Sequence, residues 1–505
     1  MCIAYTTGYI PPNLNYSIPR EGVSALVDGR MNVITDKQPW NRGMSGINSF
    51  GFGGANAHVL LKNVARDKVN NGIPKDDLPR LVCASGRTES AVARIFDDLE
   101  SRTVDAELVR LLHSIHDQDI AGHVVRGFTL LGSTPTKSES LARDIQYYSG
   151  VRRPVWFVYS GMGSQWPGMG AQLMRIPVFA AAIEKCNNVL KPKGINVVKI
   201  ITDSDPKMFD DVLNSFVGIA AIQIGLTDVL KSVGIEPDHI IGHSVGELGC
   251  AYADGCFTAE QMILSAYSRG LASVETTLIK GSMAAVGLGY SQVKSMCPPE
   301  IVVACHNGPD SSTVAGPADA MKAFVAKLTA QGIFAKEVPS SNIAYHSKYV
   351  AEAGPKLLKY LSQVIPSPKP RTERWVSTSI PQSQWKESKA RLSSAEYHTN
   401  NLLSPVLFEE ASSLIHNNAI TIEIAPHGLL QAILRRSLKK DVINIPLTQR
   451  GHSDNVQVLL TALGNLYESG LNPHLANIYP HIPFPVSQGT PMLAHLVEWE
   501  HSEDW

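Results

Sequence analysis

An α/β fold is predicted: a hydrolase-like core with a parallel sheet, a smaller βαββαβ subdomain inserted in it, and a small α/β unit ahead of it. Three observations predict this. Between residues 154 and 450, short apolar strands alternate with helical patterns. One strand, His239-Ile-Ile241, runs straight into Gly242-His-Ser-Val-Gly246 and then a helix. Residues 282–338 read strand, helix, strand, strand, helix, strand, the order of the ferredoxin-like split.

The elements follow in order. Residues 1–61 are rich in Gly, Pro and Asn and end in Gly46-Ile-Asn-Ser-Phe-Gly-Phe-Gly-Gly-Ala-Asn-Ala-His58. Residues 62–153 hold a polar linker and then an α/β unit. Its strands are predicted at Leu81–Ala84 and Val124–Leu131, its helices near 88–101 and 137–148. The core, 154–450, opens on the strand Val155–Tyr159 and a Gly-rich loop, Ser160 to Gly170. Helices are predicted near 178–190 and 216–231. Another begins at Thr258-Ala-Glu-Gln261, a capping box in which the two side chains satisfy each other's end amides, and runs to about Arg269. The insert is placed at about 282–345. The tail, 451–505, carries a helix near 454–469 and then the extended Tyr479-Pro-His-Ile-Pro-Phe-Pro485.

Composition narrows the function classes. The 505 residues, 44% hydrophobic, suit about two to four packed domains. The 45 basic residues balance 46 acidic ones, for a net charge of -1. A nucleic-acid binder would carry a basic excess, so any charged ligand must be met locally. Seven scattered cysteines read as reduced thiols in a cytoplasmic protein, and no C-x-x-C pair suggests zinc. The first residues lack the pattern of a signal peptide. No apolar run is expected to span a membrane.

The chemistry centres on Ser244. In a G-x-S-x-G elbow the strand-to-helix turn is so sharp that flanking side chains must be absent. The string itself arises by chance in roughly one of four chains of this length; the strand before it and the helix after it give it weight. A serine nucleophile needs a base. His346, in Asn342-Ile-Ala-Tyr-His-Ser-Lys348, follows the insert, where the chain returns to the core. From the residues alone it is either that base or a solvated loop histidine. His243 is expected to point away from the serine, and His306 to be a structural turn residue. Arg269 either solvates a helix tip or holds a free carboxylate with paired hydrogen bonds. The Gly-rich loop lacks the ending of a P-loop. It is either a surface turn or the source of a second oxyanion amide beside that of Val245.

Five motifs occur in order: Gly161-Met-Gly-Ser-Gln-Trp-Pro-Gly-Met-Gly170, Gly242-His-Ser-Val-Gly-Glu247, Tyr267-Ser-Arg269, Tyr345-His-Ser347 and Glu423-Ile-Ala-Pro-His427. Together they resemble the malonyl/acetyl transferase of animal-type fatty acid synthases, over the whole of 154–450. The resemblance implies Ser244 as nucleophile and His346 as base, steadied by main chain. It implies Arg269 as clamp for the malonyl carboxylate, and the amides of Met162 and Val245 as oxyanion hole. Phe216, where many malonyl-specific relatives carry a polar residue, implies a pocket that also admits acetyl. Tyr345 stands where animal relatives commonly have Phe, and its hydroxyl is expected to shift acyl preference. The implied substrates are malonyl-CoA and acetyl-CoA, with an acyl carrier protein as acceptor. Phosphopantetheine arrives on these substrates; no bound cofactor or metal is expected.

The flanks resemble the same synthases. Residues 1–61 look like the end of a ketosynthase, 80–150 like the linker domain and 451 onward like the post-transferase linker. Glu498-Trp-Glu-His-Ser502 resembles the start of a dehydratase. The cysteine and histidine motifs of a condensing ketosynthase are not found, so no condensation is expected. The chain is read as a fragment, a truncated paralogue or an incomplete gene model, and as a monomer. Other synthase domains are its expected partners, with neither nucleic acid nor membrane.

A last candidate is Leu429 to Lys440, read as one helix. Leu430, Ile433, Leu434 and Leu438 would be buried, with Arg435 stacked over Lys439 and Arg436 over Lys440. Two readings stand: a solvated helix end that offsets the dipole, or a patch for coenzyme A phosphates, for which the resemblance points to Arg436. Two alternative functions also remain, a serine hydrolase and a non-catalytic synthase fragment.

Overall fold

The computed structural model describes residues 1–63, 66–133 and 138–497. Glu498–Ser502, read above as the start of a further domain, lies outside the described residues. The chain forms two compact units. The first comprises Met1–Ile73, Asp105–Leu108 and Ile482–Leu493. It contains an antiparallel hairpin, Met44–Phe50 with Asn56–Lys62. Arg66 and Lys68 pair with Glu107 and Asp105, and Ser487 and Thr490 also bond to Glu107.

The second unit begins with a three-stranded antiparallel sheet, Arg80–Gly86, Val125–Ser133 and Ser138–Tyr147. The helix Glu89–Glu100 is capped by the Thr88 hydroxyl, which accepts from the Ala91 amide. The helix expected near 137–148 is instead the third strand. Its charged residues suit a helix, but pairing with the middle strand satisfies its backbone, so tertiary context overrides local preference. Arg143 from this strand reaches Asp97 (2.7 Å) and Glu100 (3.0 Å) on the neighbouring helix. A further helix, Ala106–His116, whose residues from Val109 on belong to this unit, is not among the expected elements. The tail helix Asn455–Glu468 packs on this sheet, closest where Gly464 meets the Phe128 ring. Beyond it, the Tyr479 hydroxyl accepts from the Leu81 amide (2.8 Å) and donates to the Pro79 carbonyl (2.9 Å).

The core is a five-stranded parallel sheet in the order Trp375–Val376, His239–Gly242, Val155–Tyr159, Ile420–Ile424, Ile443–Pro446. Val155–Tyr159 and Ile420–Ile424 are buried at every residue; the first reads as a continuous apolar run, while the second buries Thr421 and Glu423 among its isoleucines. The first strand in sequence lies centrally, and the order grows away from it in both directions. Such a sheet leaves a crevice at the carboxyl ends of its strands. Helix Val212–Ser232 crosses the core and is buried on nearly all sides. By length and composition it could cross a membrane, contrary to the expectation from sequence, yet 89% of its apolar window is buried inside the protein.

The insert forms as predicted. Its strands run in the order Ala335–Val338, Gly281–Val286, Ser311–Pro317, Val302–Gly308, all antiparallel. Val406–Leu407 adds a parallel edge against Cys305 and His306.

Glycine decides one contact. A Cβ on Gly246 would lie 2.1 Å from the Tyr159 carbonyl oxygen, a backbone atom that cannot swing aside. Gly246→Ala is therefore expected to lower stability by about 1–3 kcal/mol. Gly43→Ala, which meets nothing within 4 Å, should leave the thermal midpoint unchanged. Equal midpoints for the two variants would mean that the elbow tolerates the added carbon.

Candidate active site

The elbow forms as its glycines demand. The strand ends at Gly242, Ser244 adopts φ 56°, and the helix Gly246–Ala253 starts two residues on. A left-handed backbone at serine costs about 1–2 kcal/mol, and the fold holds it with hydrogen bonds from the Gly246 amide to His243 (3.0 Å) and from the Glu247 amide to Ser244 (3.1 Å). The Gly-rich loop passes directly against the elbow. A Cβ on Gly161 would lie 2.8 Å from the His243 carbonyl oxygen and 3.3 Å from Ser244 Cβ, so only glycine brings that backbone, with Met162 next to it, so near the serine.

His346 is the residue brought over Ser244: its Nε2 lies 2.7 Å from the serine Oγ. Its own φ is 59°. The imidazole is held by the end of helix Ala395–Leu403. The His346 amide donates to the Leu402 carbonyl (3.2 Å), and Nδ1 donates to the Ser404 carbonyl (2.9 Å). Pro405 follows Ser404, and the residue before a proline is driven to extended geometry. Ser404 accordingly has φ -96° and ψ 156°, which turns its carbonyl out of the helix. Burial pushes the His346 pKa down to about 3, with the charges of Arg269 and His243 adding to the effect and the hydrogen bond to Ser404 opposing it.

Arg269 lies within the helix Ala259–Val274 rather than at its tip, and is 3% exposed. Its Nη2 lies 3.4 Å from Ser244 Oγ and its Nη1 2.5 Å from Asn401 Oδ1. Among the described residues its Nε has no hydrogen-bond partner. Burial lowers its pKa to about 10, so it stays charged near neutrality. The guanidinium lies over the Phe216 ring (5.4 Å), and Phe216 meets Tyr345 edge-on at 5.9 Å. Burial pushes the Tyr345 phenol up to about 12. These groups, with Met162, line a cavity of 340 Å³ between core and insert.

Two buried carboxylates brace the site. Glu247 accepts from the Thr378 amide (2.6 Å) and the Tyr397 hydroxyl (2.5 Å), and lies 2.9 Å from the Thr378 hydroxyl. Glu423 accepts from Ser160 (2.5 Å), the Leu430 amide (2.8 Å) and Gln431 (2.8 Å). Burial raises both carboxyls against these hydrogen bonds. Arg450 donates to the carbonyls of Gly163 (2.6 Å) and Gln165 (2.9 Å), tying down the Gly-rich loop.

A serine bonded to a neutral imidazole, under a buried cation and at the carboxyl ends of a parallel sheet, can form and resolve an acyl ester. The acyl transferase domain family matches residues 156–473. The chain belongs to this family. The ketoacyl-synthetase C-terminal extension matches residues 19–130. A highly reducing polyketide synthase of Aspergillus fumigatus, sphB, is 28% identical over 93% of this chain and 19% of that protein. Another, sdnO of Sordaria araneosa, is 29% identical over 98% of this chain and 18% of that protein. The chain thus spans about a fifth of the length of these curated relatives. Among solved structures, the loading acyltransferase of the avermectin polyketide synthase is 25% identical (TM-score 0.55, covering 62% of this chain and 99% of that one). The acyltransferase domain of the polyketide synthase PpsC of Mycobacterium tuberculosis is 27% identical (TM-score 0.54, covering 60% and 93%). These relatives are polyketide synthases, so the animal-type fatty acid synthase resemblance holds at a coarser level, that of an acyltransferase with a ketosynthase extension.

The acyl transferase domain places the remaining sequence candidates less simply. His243, expected to point away from the serine, is among the residues that line the cavity, and its Nε2 lies 2.8 Å from Asn307 Oδ1. His306 is on a strand, not in a turn, paired with Glu410 (2.6 Å) and stacked on Tyr290 (3.8 Å). The helix expected over 429–440 spans only Gln431–Ser437, so the stacking of Arg435 on Lys439 and Arg436 on Lys440 does not form. Leu438 is extended and ends the helix. Arg435 is exposed, and Arg436 pairs with Asp310 at 3.3 Å. Sequence reading missed Asn401, Ser404 and Arg450, whose surroundings carry no motif. Glu247 and Glu423 stood inside quoted motifs without a role. Among the described residues no His, Cys, Asp and Glu cluster suits a metal ion.

The lowered pKa keeps His346 in its neutral, proton-accepting form well below the ordinary value of 6.5. Formation of the acyl-serine, followed by rapid quench with acyl-CoA, should therefore be flat from about pH 8 to about pH 5. A fall centred near pH 6.5 would show that the imidazole titrates as an exposed one.

Proposed function

We propose that this chain moves malonyl, and also acetyl, groups from coenzyme A to the phosphopantetheine thiol of an acyl carrier protein within a larger synthase. The observation that carries the reading is Arg269, a buried cation without a carboxylate partner among the described residues, set 3.4 Å from Ser244 Oγ. A simple esterase has no use for such a charge; an acyl group with a free carboxylate supplies its missing partner. The apolar Phe216 wall beside it suits the methyl of acetyl. Fatty acid and polyketide synthases share this half-reaction, and the relatives' names favour the polyketide setting.

In the proposed mechanism Ser244 attacks the thioester carbonyl while His346 Nε2 takes its proton. The Ser404 carbonyl holds Nδ1–H and stabilises the imidazolium that forms. The amides of Met162 and Val245 receive the oxyanion. The C–S bond breaks, His346 returns the proton to the departing thiolate, and an acyl-serine remains. The carrier's phosphopantetheine thiol then reverses the sequence, giving ping-pong kinetics. Arg436 and Arg435, on the exposed side of the short helix that lines the cavity, are proposed to meet the coenzyme A phosphates, with Asp310 released from Arg436.

Ser244→Ala should abolish covalent labelling by malonyl-CoA, and persistent labelling would remove it as nucleophile. Arg269→Ala should cost malonyl transfer about 2–4 kcal/mol and leave acetyl transfer intact. Transfer to carrier protein, with hydrolysis counted separately, checks both; dominant hydrolysis would favour a serine hydrolase, and no turnover a non-catalytic fragment. Arg436→Ala should raise the KM for malonyl-CoA at low salt, the effect shrinking as exposed charges are screened over about 10 Å at 0.1 M.

A further inference from the structure

We infer that Asn401 is the positioning residue that aims Arg269 while leaving its charge free, and so sets the preference for acyl groups bearing a carboxylate. The inference rests on the malonyl reading of the site. A guanidinium has five N–H donors in a fixed planar fork. In Arg269 one is taken by Asn401 Oδ1 at 2.5 Å, and one faces Ser244 Oγ at a long 3.4 Å. Among the described residues the buried Nε has no hydrogen-bond partner, and no Asp or Glu pairs with this arginine. A buried, unpaired cation is costly. It is tolerable where the ligand brings the opposite charge.

Asn401 is built for this task. It is 3% exposed, and its Nδ2 donates to Ser379 Oγ at 2.8 Å. The Ser379 amide in turn donates to Ser377 Oγ at 3.1 Å, and Asn400 Nδ2 donates to the Ser379 carbonyl at 3.0 Å. The amide is thereby held from both ends, and its oxygen must be the end that faces the guanidinium, which only donates. A neutral oxygen fixes the plane of the fork but does not cancel its charge. A carboxylate at the same place would form an internal ion pair and compete with the acyl carboxylate. The other groups facing Arg269 are aromatic or uncharged near neutrality: Phe216, Tyr345, and His346 and His398, which burial pushes down to about 3.

The decisive variant is Asn401→Asp, which keeps size and shape. In the full chain, kcat/KM for malonyl-CoA should fall on the order of 100-fold, chiefly through KM. Acetyl-CoA should change by less than about threefold, because it makes no use of the charge. Asn401→Ala, which removes the aim without adding charge, should cost malonyl about tenfold and spare acetyl in the same way. If the Asp variant fails to fold, as read by circular dichroism and thermal midpoint, the Ala variant decides alone. Equal losses for both substrates, or an unchanged malonyl-to-acetyl ratio, would overturn the proposal. Arg269→Ala run in parallel separates the two levels. If it is selective for malonyl while the Asn401 variants are not, only the role of Asn401 fails. If it lowers both substrates alike, the malonyl reading fails with it.

Discussion

The site depends on the registration of two stretches far apart in sequence, the elbow helix Gly246–Ala253 and the helix Ala395–Leu403. The hydrogen bond from Tyr397 to Glu247, at 2.5 Å between residues 150 apart, fixes it. The strained serine stands two residues ahead of the first helix. The second presents Asn401 to Arg269, the Leu402 carbonyl to the His346 amide and the Ser404 carbonyl to its Nδ1. Arg371 extends the tie by donating to the Tyr397 hydroxyl at 3.1 Å. Thr378 closes it, its amide donating to Glu247 and its hydroxyl to the Gly242 carbonyl. Low dielectric strengthens each member of such a network and makes a missing one costly.

The same burial gives the site its electrical character. It lowers His346 and Arg269 and raises Glu247 and Glu423, each shift disfavouring the charged form. For the histidine the result is a base that stays neutral. For the arginine the shift is too small to discharge it, because guanidinium starts so high. One positive charge therefore survives beside an otherwise neutral serine and imidazole. A fold that places a cation there without a counter-ion gives up stability in exchange for a site that discriminates by charge.

Much of this was legible in the sequence. Gly161 in the loop and Gly242 and Gly246 in the elbow are forced by close backbone approach, and their motifs mark them, so Ser244, Met162 and Val245 could be placed from the sequence. The βαββαβ insert and the Thr258 capping box followed from apolar spacing and end residues. The strand Ser138–Tyr147 did not, since its charged composition suits a helix and only its partner strand makes it extended. The cationic helix was overdrawn for a related reason: apolar spacing continued to Leu438, but the chain leaves the helix there, and Arg436 is drawn to Asp310 on the insert.

By itself the sequence determined the parallel core, the elbow serine and the residues able to serve beside it, because each rests on spacing within a few positions. Tertiary structure decided what the residues by themselves left open, that His346 meets Ser244 rather than standing in a solvated loop and that Arg269 is buried rather than solvated at a helix tip, and it alone decided that an uncharged Asn401 holds Arg269. These depend on contacts across 102, 25 and 132 residues. Side-chain chemistry at such separations is set by how the helices and the insert close on the sheet, which no local pattern encodes.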